Sequence, residues 1–570
     1  MDSDKKTKSN NNVHSEKNDE NISINKFSPN KNEKRFITFL SILAIIGISF
    51  FGYSIFDEIQ KSNITQDGEK SLFSKVIPKE EAVNIAKNFL DSNDFNIDGY
   101  DYSISLYSEP ESDAFLKRNI GYEESYKYVG SKNLSEASYV VRFFKDSEIN
   151  ELSVGVDLES GKVVFFDNII PENENRKELD KDSAKQVVNN FLASLNYNIE
   201  DFEERDYSTN KVQNRLDHTF RFKLKDSNID SSYGEAYTVV RADVLGDKIG
   251  IFNYYLFVPE EFTREISQSS SAGTLLTILS GLATLFMFIL AIVFLVKAFI
   301  NKKAAWKSYI YLAIVTAVIL GINHFNEYSI LKSLYTTDTP FAVSMGILIL
   351  VSIIGTILVV ASIFIAGVAG NYLSEIVWKD KLKSSFYNLP QSILKGYLIA
   401  FFTLGMVQFI YFIGERYLGV WSLADISMGY NFLLGYIPFI SSFAIVFLAA
   451  FSEEIIFRLF GVSVFKKYFK STFVAVALSA LIWAVAHSDY PVFPFYFRAI
   501  ELLIGGTIWG YFFIRYDLAT LISAHYVYNA FIFGSVMFFL GTPYMIISAI
   551  ILVLFPLILI PAYNFIKNRK

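Results

Sequence analysis

Ser452-Glu453-Glu454-Ile455-Ile456-Phe457-Arg458 lies inside an apolar run from 437 to 465, and the reading of that run decides the fold. A run of this length spans a hydrocarbon core of about 30 Å as one helix. An ionised side chain at the centre of such a helix costs roughly 2.5–3.5 kcal/mol, so it is retained where it faces a polar cavity or a partner. Helical spacing pairs Glu454 with Arg458 at i, i+4, and turns Glu453 away by about 100°. Glu453 is therefore the candidate functional carboxylate.

Working outward, apolar runs recur at about 274–299, 307–323, 341–369, 393–414, 472–490, 498–514, 518–539 and 543–563. With 437–465 and a signal anchor at 36–56 they predict a polytopic α-helical membrane protein of about ten transmembrane helices. With the N-terminus inside, the inner loops carry Lys302, Lys303 and Lys307, then Lys379, Lys381 and Lys383, then Lys466, Lys467 and Lys470, then Arg515, and finally Lys567, Arg569 and Lys570. That distribution obeys the positive-inside rule, so both termini are expected in the cytoplasm of a multi-pass cell-membrane protein, with 57–268 extracytoplasmic. Residues 1–35 are polar and poor in large apolar side chains, and read as a disordered cytoplasmic tail.

The chain is 51% hydrophobic with a formal charge of -6, the acidic residues concentrated before Ile266. The lipid bilayer is the expected environment, and no nucleic-acid partner is expected. The absence of cysteine excludes a thiol nucleophile, a thiolate metal site and disulfides.

Between Asp57 and Gln268 the sequence repeats. Lys79-Glu80-Glu81-Ala82, Asn88-Phe89-Leu90 and Asn96-Ile97 align with Lys181-Asp182-Ser183-Ala184, Asn190-Phe191-Leu192 and Asn198-Ile199. Each copy begins as an amphipathic helix and continues into alternating strands, Tyr139–Phe144 in the first and His218–Phe222 in the second. Turns are predicted at Ser160-Gly161-Lys162 and Gly246-Asp247-Lys248. An α+β extracytoplasmic domain built from two repeats is expected, resembling PepSY-type modules.

Two further polar groups interrupt the C-terminal helices: Trp483-Ala484-Val485-Ala486-His487 and His525-Tyr526-Val527-Tyr528-Asn529. His525 and Asn529 stand at i, i+4, where an imidazole and an amide can donate to one oxygen, as an oxyanion site requires. Counting from the inner edges, roughly 20 Å to Glu453, 22 Å to His487, 12 Å to His525 and 18 Å to Asn529 place all four within the membrane.

An EExxxR motif, an aromatic-xxxH motif and an HxxxN motif, in that order on separate membrane helices over roughly 390–565, resemble the signature of the CPBP family (CAAX protease and bacteriocin-processing), which includes type II CAAX prenyl endopeptidases. The family usually has Phe where this chain has Trp483. The resemblance implies an intramembrane endopeptidase acting on peptide or membrane-protein substrates. By it, Glu453 and His487 activate a water, His525 and Asn529 stabilise the oxyanion, and Glu454 and Arg458 support them. Residues 274–369 are then accessory helices.

A metal alternative stays open, since Glu453, His487 and His525 could form a site for a divalent ion such as zinc with an open position for water; the other expectation is no cofactor. No HExxH helix, no Tyr-Asp with Gly-x-Gly-Asp pair and no Gly-x-Ser-Gly loop occurs. A catalytically inactive scaffold or immunity protein of the same fold is the alternative function, and a carrier is disfavoured because 274–563 has no evident inverted repeat. His324, Glu375, Arg498 and Glu501 read as anchors or pairs. Substrate identity and oligomeric state are not encoded in these motifs.

Overall fold

The computed structural model describes residues 31–62, 76–378, 388–423 and 429–569. The predicted tail falls largely outside these residues, as do Lys379, Lys381 and Lys383. Where it is described, the expected tail boundary changes: helix α1 runs Lys31–Ser62, so 31–35 are helical.

The two repeats fold into one sheet. In the first, helix α2 (Lys79–Ser92) precedes β1 (Asp101–Ser108), β2 (Ala137–Phe144), β3 (Glu151–Asp157) and β4 (Val163–Ile169). In the second, α5 (Lys181–Ser194) precedes β5 (Phe202–Val212), β6 (Arg215–Leu224), the short β7 (Ile229–Ser231), β8 (Gly234–Leu245) and β9 (Lys248–Phe257). The last strands of the two copies pair antiparallel, Phe166 opposite Phe252, giving the order β1-β2-β3-β4-β9-β8-β6-β5 with β7 beside β8. Gly161 and Gly246 sit in the predicted turns at φ +69° and +67°, a region that favours glycine. Ala82, Ala86 and Leu90 of α2 and Ala184, Val188 and Leu192 of α5 are spaced for one helix face, and both helices bury that face in a common core.

One asymmetry has no counterpart in the repeat alignment. The first copy inserts α3 (Pro110–Ile120) and α4 (Tyr122–Lys132) between β1 and β2, where the second copy turns between β5 and β6 in two residues.

The rest of the chain is helical: α6 (Glu260–Ile300), α7 (Trp306–Asn326), the short α8 (Tyr328–Ser333), α9 (Phe341–Trp378), α10 (Leu389–Tyr417), α11 (Pro438–Phe469), α12 (Thr472–Val485), α13 (Phe497–Arg515), α14 (Leu518–Phe539) and α15 (Pro543–Arg569). Nine helices among the described residues, α1 included, are long and apolar enough to cross a membrane. The chain is a polytopic membrane protein with an added α+β region. The expected crossing at 472–490 differs: α12 has 14 residues, about 21 Å at the helical rise, and breaks into turns after Val485. The sequence also sets a gap between the polar region and the first following span, but α6 begins at Glu260, directly behind β9, and runs 41 residues without a break.

The sheet region rests on the helices through polar and aromatic contacts. Lys79 Nζ donates to the carbonyls of Leu434 and Gly435, each at 3.0 Å, just ahead of α11. Beyond α12, Val492 and Phe493 form a short strand with Trp421 and Ser422, and Phe493 stacks on Trp421 at 4.3 Å. Arg118 of α3 lies over the same indole at 4.4 Å.

Candidate active site

The motif on α11 does not continue as a plain α-helix. From Glu454 to Val462 the backbone winds as a π-helix, a form that recurs at functional sites because it shifts side-chain direction and loosens the hydrogen-bond ladder. Ser479 of α12 donates its hydroxyl to the carbonyl of Phe457 within this segment. A Cβ on Gly461 would stand 2.4 Å from that hydroxyl oxygen, so the close approach of α12 requires glycine there.

The two adjacent glutamates occupy different environments. Glu454 is 0% exposed, and its Oε1 lies 3.2 Å from Arg458 Nη1 and 2.8 Å from His525 Nδ1. Glu453 keeps 25% of its side chain exposed, enough to meet a water or a substrate. It is not unpartnered, as the helical spacing alone suggests: Trp483 Nε1 donates to its Oε2 at 2.5 Å. His525 Nε2 lies 3.9 Å from the same oxygen. His525 thus bridges the pair, one nitrogen fixed by Glu454 and the other turned toward Glu453.

Aromatic rings wall this cluster. The Arg458 guanidinium sits over Trp483 at 4.3 Å and over Trp509 at 5.6 Å, and Trp509 of α13 contacts the His525 ring at 4.9 Å. Trp509 is itself held by donating to Thr403 Oγ1 at 3.0 Å. Sequence spacing gives no sign of Trp509, because it belongs to none of the three motifs.

His487 occupies the turn after α12. Its Nδ1 lies 2.8 Å from the Trp483 carbonyl, which only accepts, so Nδ1 carries the hydrogen, and in a neutral ring Nε2 is then the acceptor. No direct hydrogen bond joins His487 to Glu453 among the described contacts. Asn529 lies half-buried one helical turn beyond His525, and its amide bonds to no described residue. The remaining sequence candidates are pairs: Arg498 with a buried Glu501 at 2.5 Å, His324 with Thr356 at 2.8 Å, and Glu375 accepting from Asn371 at 3.4 Å. Arg498 also reaches Tyr490, at 5.5 Å, close to the His487 turn.

Among the described residues no three His, Asp or Glu side chains converge closely enough to hold a metal ion. Glu453 and His525 approach one another, but His487 does not complete the set.

Residues 435–531 match the family of type II CAAX prenyl endopeptidase Rce1-like proteins, a segment that contains all three motifs. The resemblance to the CPBP endopeptidases holds. The sporulation-killing factor biosynthesis protein SkfC of Bacillus subtilis (strain 168) is 23% identical over 171 residues, 29% of this chain. The match spans 33% of that relative's length. No solved structure matches. The family match lies within the C-terminal helices.

Proposed function

We propose that the chain is an intramembrane endopeptidase that hydrolyses peptide bonds of peptide or membrane-associated protein substrates with a water activated by Glu453. The observation that carries this reading is the division of labour between two adjacent carboxylates: Glu454 is sealed in an ion pair with Arg458, while Glu453 is oriented by Trp483 and remains accessible. A carboxylate held by a neutral N–H donor keeps its second oxygen available as a base.

In the proposed reaction a water lies between Glu453 and the Nε2 acceptor of His487. Glu453 takes one proton as the water oxygen attacks the scissile carbonyl carbon. Negative charge collects on the former carbonyl oxygen, where Nε2–H of His525 and the Asn529 amide donate to it. Collapse of the tetrahedral species breaks the C–N bond, and the proton held by Glu453 passes to the leaving amine. Glu454 and Arg458 do not touch substrate; they set the orientation of His525.

Cleavage of a quenched peptide library by the purified full-length protein in detergent tests this reading. Wild type is expected to cleave, with or without chelator, and Glu453→Ala and His525→Ala are expected to be inactive. Chelator-sensitive activity restored by zinc would favour the metal alternative. Equal traces from all three proteins would remove the assigned site and favour an inactive scaffold.

A further inference from the structure

The inserted helices α3 and α4 roof a pocket of about 50 Å³ against the sheet, far from the membrane motifs in sequence. Its lining includes Glu109, Ser112, Asp113 and Glu136, with Leu116 and Phe165 among the apolar walls. A site that holds one water needs roughly 10–15 Å³ by the same kind of measure, so the pocket takes a group larger than a single water.

The charges in this pocket do not balance internally. Lys117 is the cation nearest to hand, but its ammonium is engaged by Asp113 at 2.8 Å and lies over the rings of Tyr122 and Tyr126 at 5.6 and 5.4 Å. Glu109 accepts from the Ser112 hydroxyl at 3.1 Å, a neutral partner. Glu136 is partly buried in the pocket wall and makes no hydrogen bond to a described residue; Lys117, the attractive charge near it, is shared with Asp113. A carboxylate in that position is retained at a cost that a cationic ligand would offset.

We infer that this pocket binds a protonated primary amine on a short aliphatic stem, the ammonium meeting Glu136 and Glu109 and the stem lying along Leu116 and Phe165. The chemistry is that of a lysine side chain or of a peptide's α-amine. Three features favour such a ligand over a metal ion: the pocket has apolar walls, no three carboxylates among the described residues converge, and one counterion is already committed to Asp113. Burial pushes both Glu109 and Glu136 up to about 7, with the neighbouring Glu111 and Asp113 charges adding to the rise.

The pocket's roof continues toward the membrane helices. Leu116 lines the pocket, while two residues further along α3 Arg118 lies on Trp421, whose partner Phe493 is in the segment that follows His487. A ligand at Glu136 would therefore bear on the same helix that holds the exit of α12.

Isothermal titration of the full-length protein in detergent tests the inference, with Nα-acetyl-lysine amide as the side-chain amine, leucine amide as the α-amine and Nα-acetyl-norleucine amide as the uncharged analogue. At least one amine is expected to bind wild type, and which of them does so identifies the source. Glu136→Gln is expected to weaken that binding about tenfold or more, Glu109→Gln to weaken it less, and the norleucine amide to give no saturable heat. Equal affinity in wild type and Glu136→Gln, equal binding of the norleucine amide, or no saturable binding of either amine would overturn it. Because Glu453 takes no part in this site, Glu453→Gln is expected to bind the amine as wild type does, which separates this test from that of the proposed hydrolysis.

Discussion

The indole of Trp483 donates to Glu453 across two helices at 2.5 Å, and its own backbone carbonyl receives the hydrogen of His487. One residue thus holds the candidate base through its side chain and the candidate water-orienting imidazole through its backbone. Trp483→Phe keeps an aromatic ring and the backbone carbonyl but deletes the N–H donor. A hydrogen bond to a charged group contributes about 1.5–3 kcal/mol, so kcat is expected to fall roughly tenfold or somewhat more with KM little changed. A KM effect with unchanged kcat in steady-state cleavage would instead assign Trp483 to substrate binding.

Arg458 and Glu454 form a pair with almost no exposed surface. Removing one charge leaves the other buried and uncompensated, a loss of about 3–5 kcal/mol, so Arg458→Met is expected to lower the unfolding temperature sharply. Arg458→Met with Glu454→Gln removes both charges and is expected to recover part of that stability. Activity is expected to stay low in the double variant, because an amide in place of the Glu454 carboxylate is a weaker acceptor for His525 Nδ1. Thermal unfolding in detergent, paired with the cleavage assay, separates the two effects.

Gly47 of α1 and Gly405 of α10 pack backbone to backbone. A Cβ on Gly405 would stand 2.1 Å from the Gly47 Cα, whereas one on Gly281 of α6 would meet nothing within 4 Å. Gly405→Ala is expected to destabilise by about 1–3 kcal/mol and Gly281→Ala to be neutral or slightly stabilising. Matched unfolding curves of the two variants check this.

The sequence made the membrane helices legible because crossing a hydrocarbon core demands a long apolar run, and it exposed Glu453, Glu454, His487 and His525 because charge is conspicuous there. It did not reveal Trp509 or the N–H of Trp483, since an aromatic residue in an apolar helix carries no contrast. The π-helical winding at Glu454–Val462 was likewise invisible, because the spacing of those residues does not mark it, and the Ser479 hydroxyl that meets the Phe457 carbonyl comes from another helix. In the sheet region, local alternation marked the strands, but the Phe166 and Phe252 register that joins two repeats into one sheet is a long-range pairing.

Glu109 and Glu136 have an ordinary value near 4.5 and are pushed up to about 7 in the fold by burial. Between these limits the folded protein holds more protons than the unfolded chain, so stability falls as pH rises through about 4.5 to 7. Each group contributes up to about 3 kcal/mol to that fall. Glu136→Gln cannot ionise, and is expected to flatten the decline by about half in unfolding measured across this window. An unchanged pH slope would show that Glu136 is not held protonated by its surroundings.

Glu453 is the proposed base. Replacing it with glutamine keeps size and hydrogen-bonding capacity but removes the basic oxygen, so Glu453→Gln is the most direct test. Its kcat is expected to fall by about a thousandfold or more, with an unfolding temperature close to wild type. Cleavage within a few-fold of wild type by a correctly folded Glu453→Gln protein would show that Glu453 is not the base.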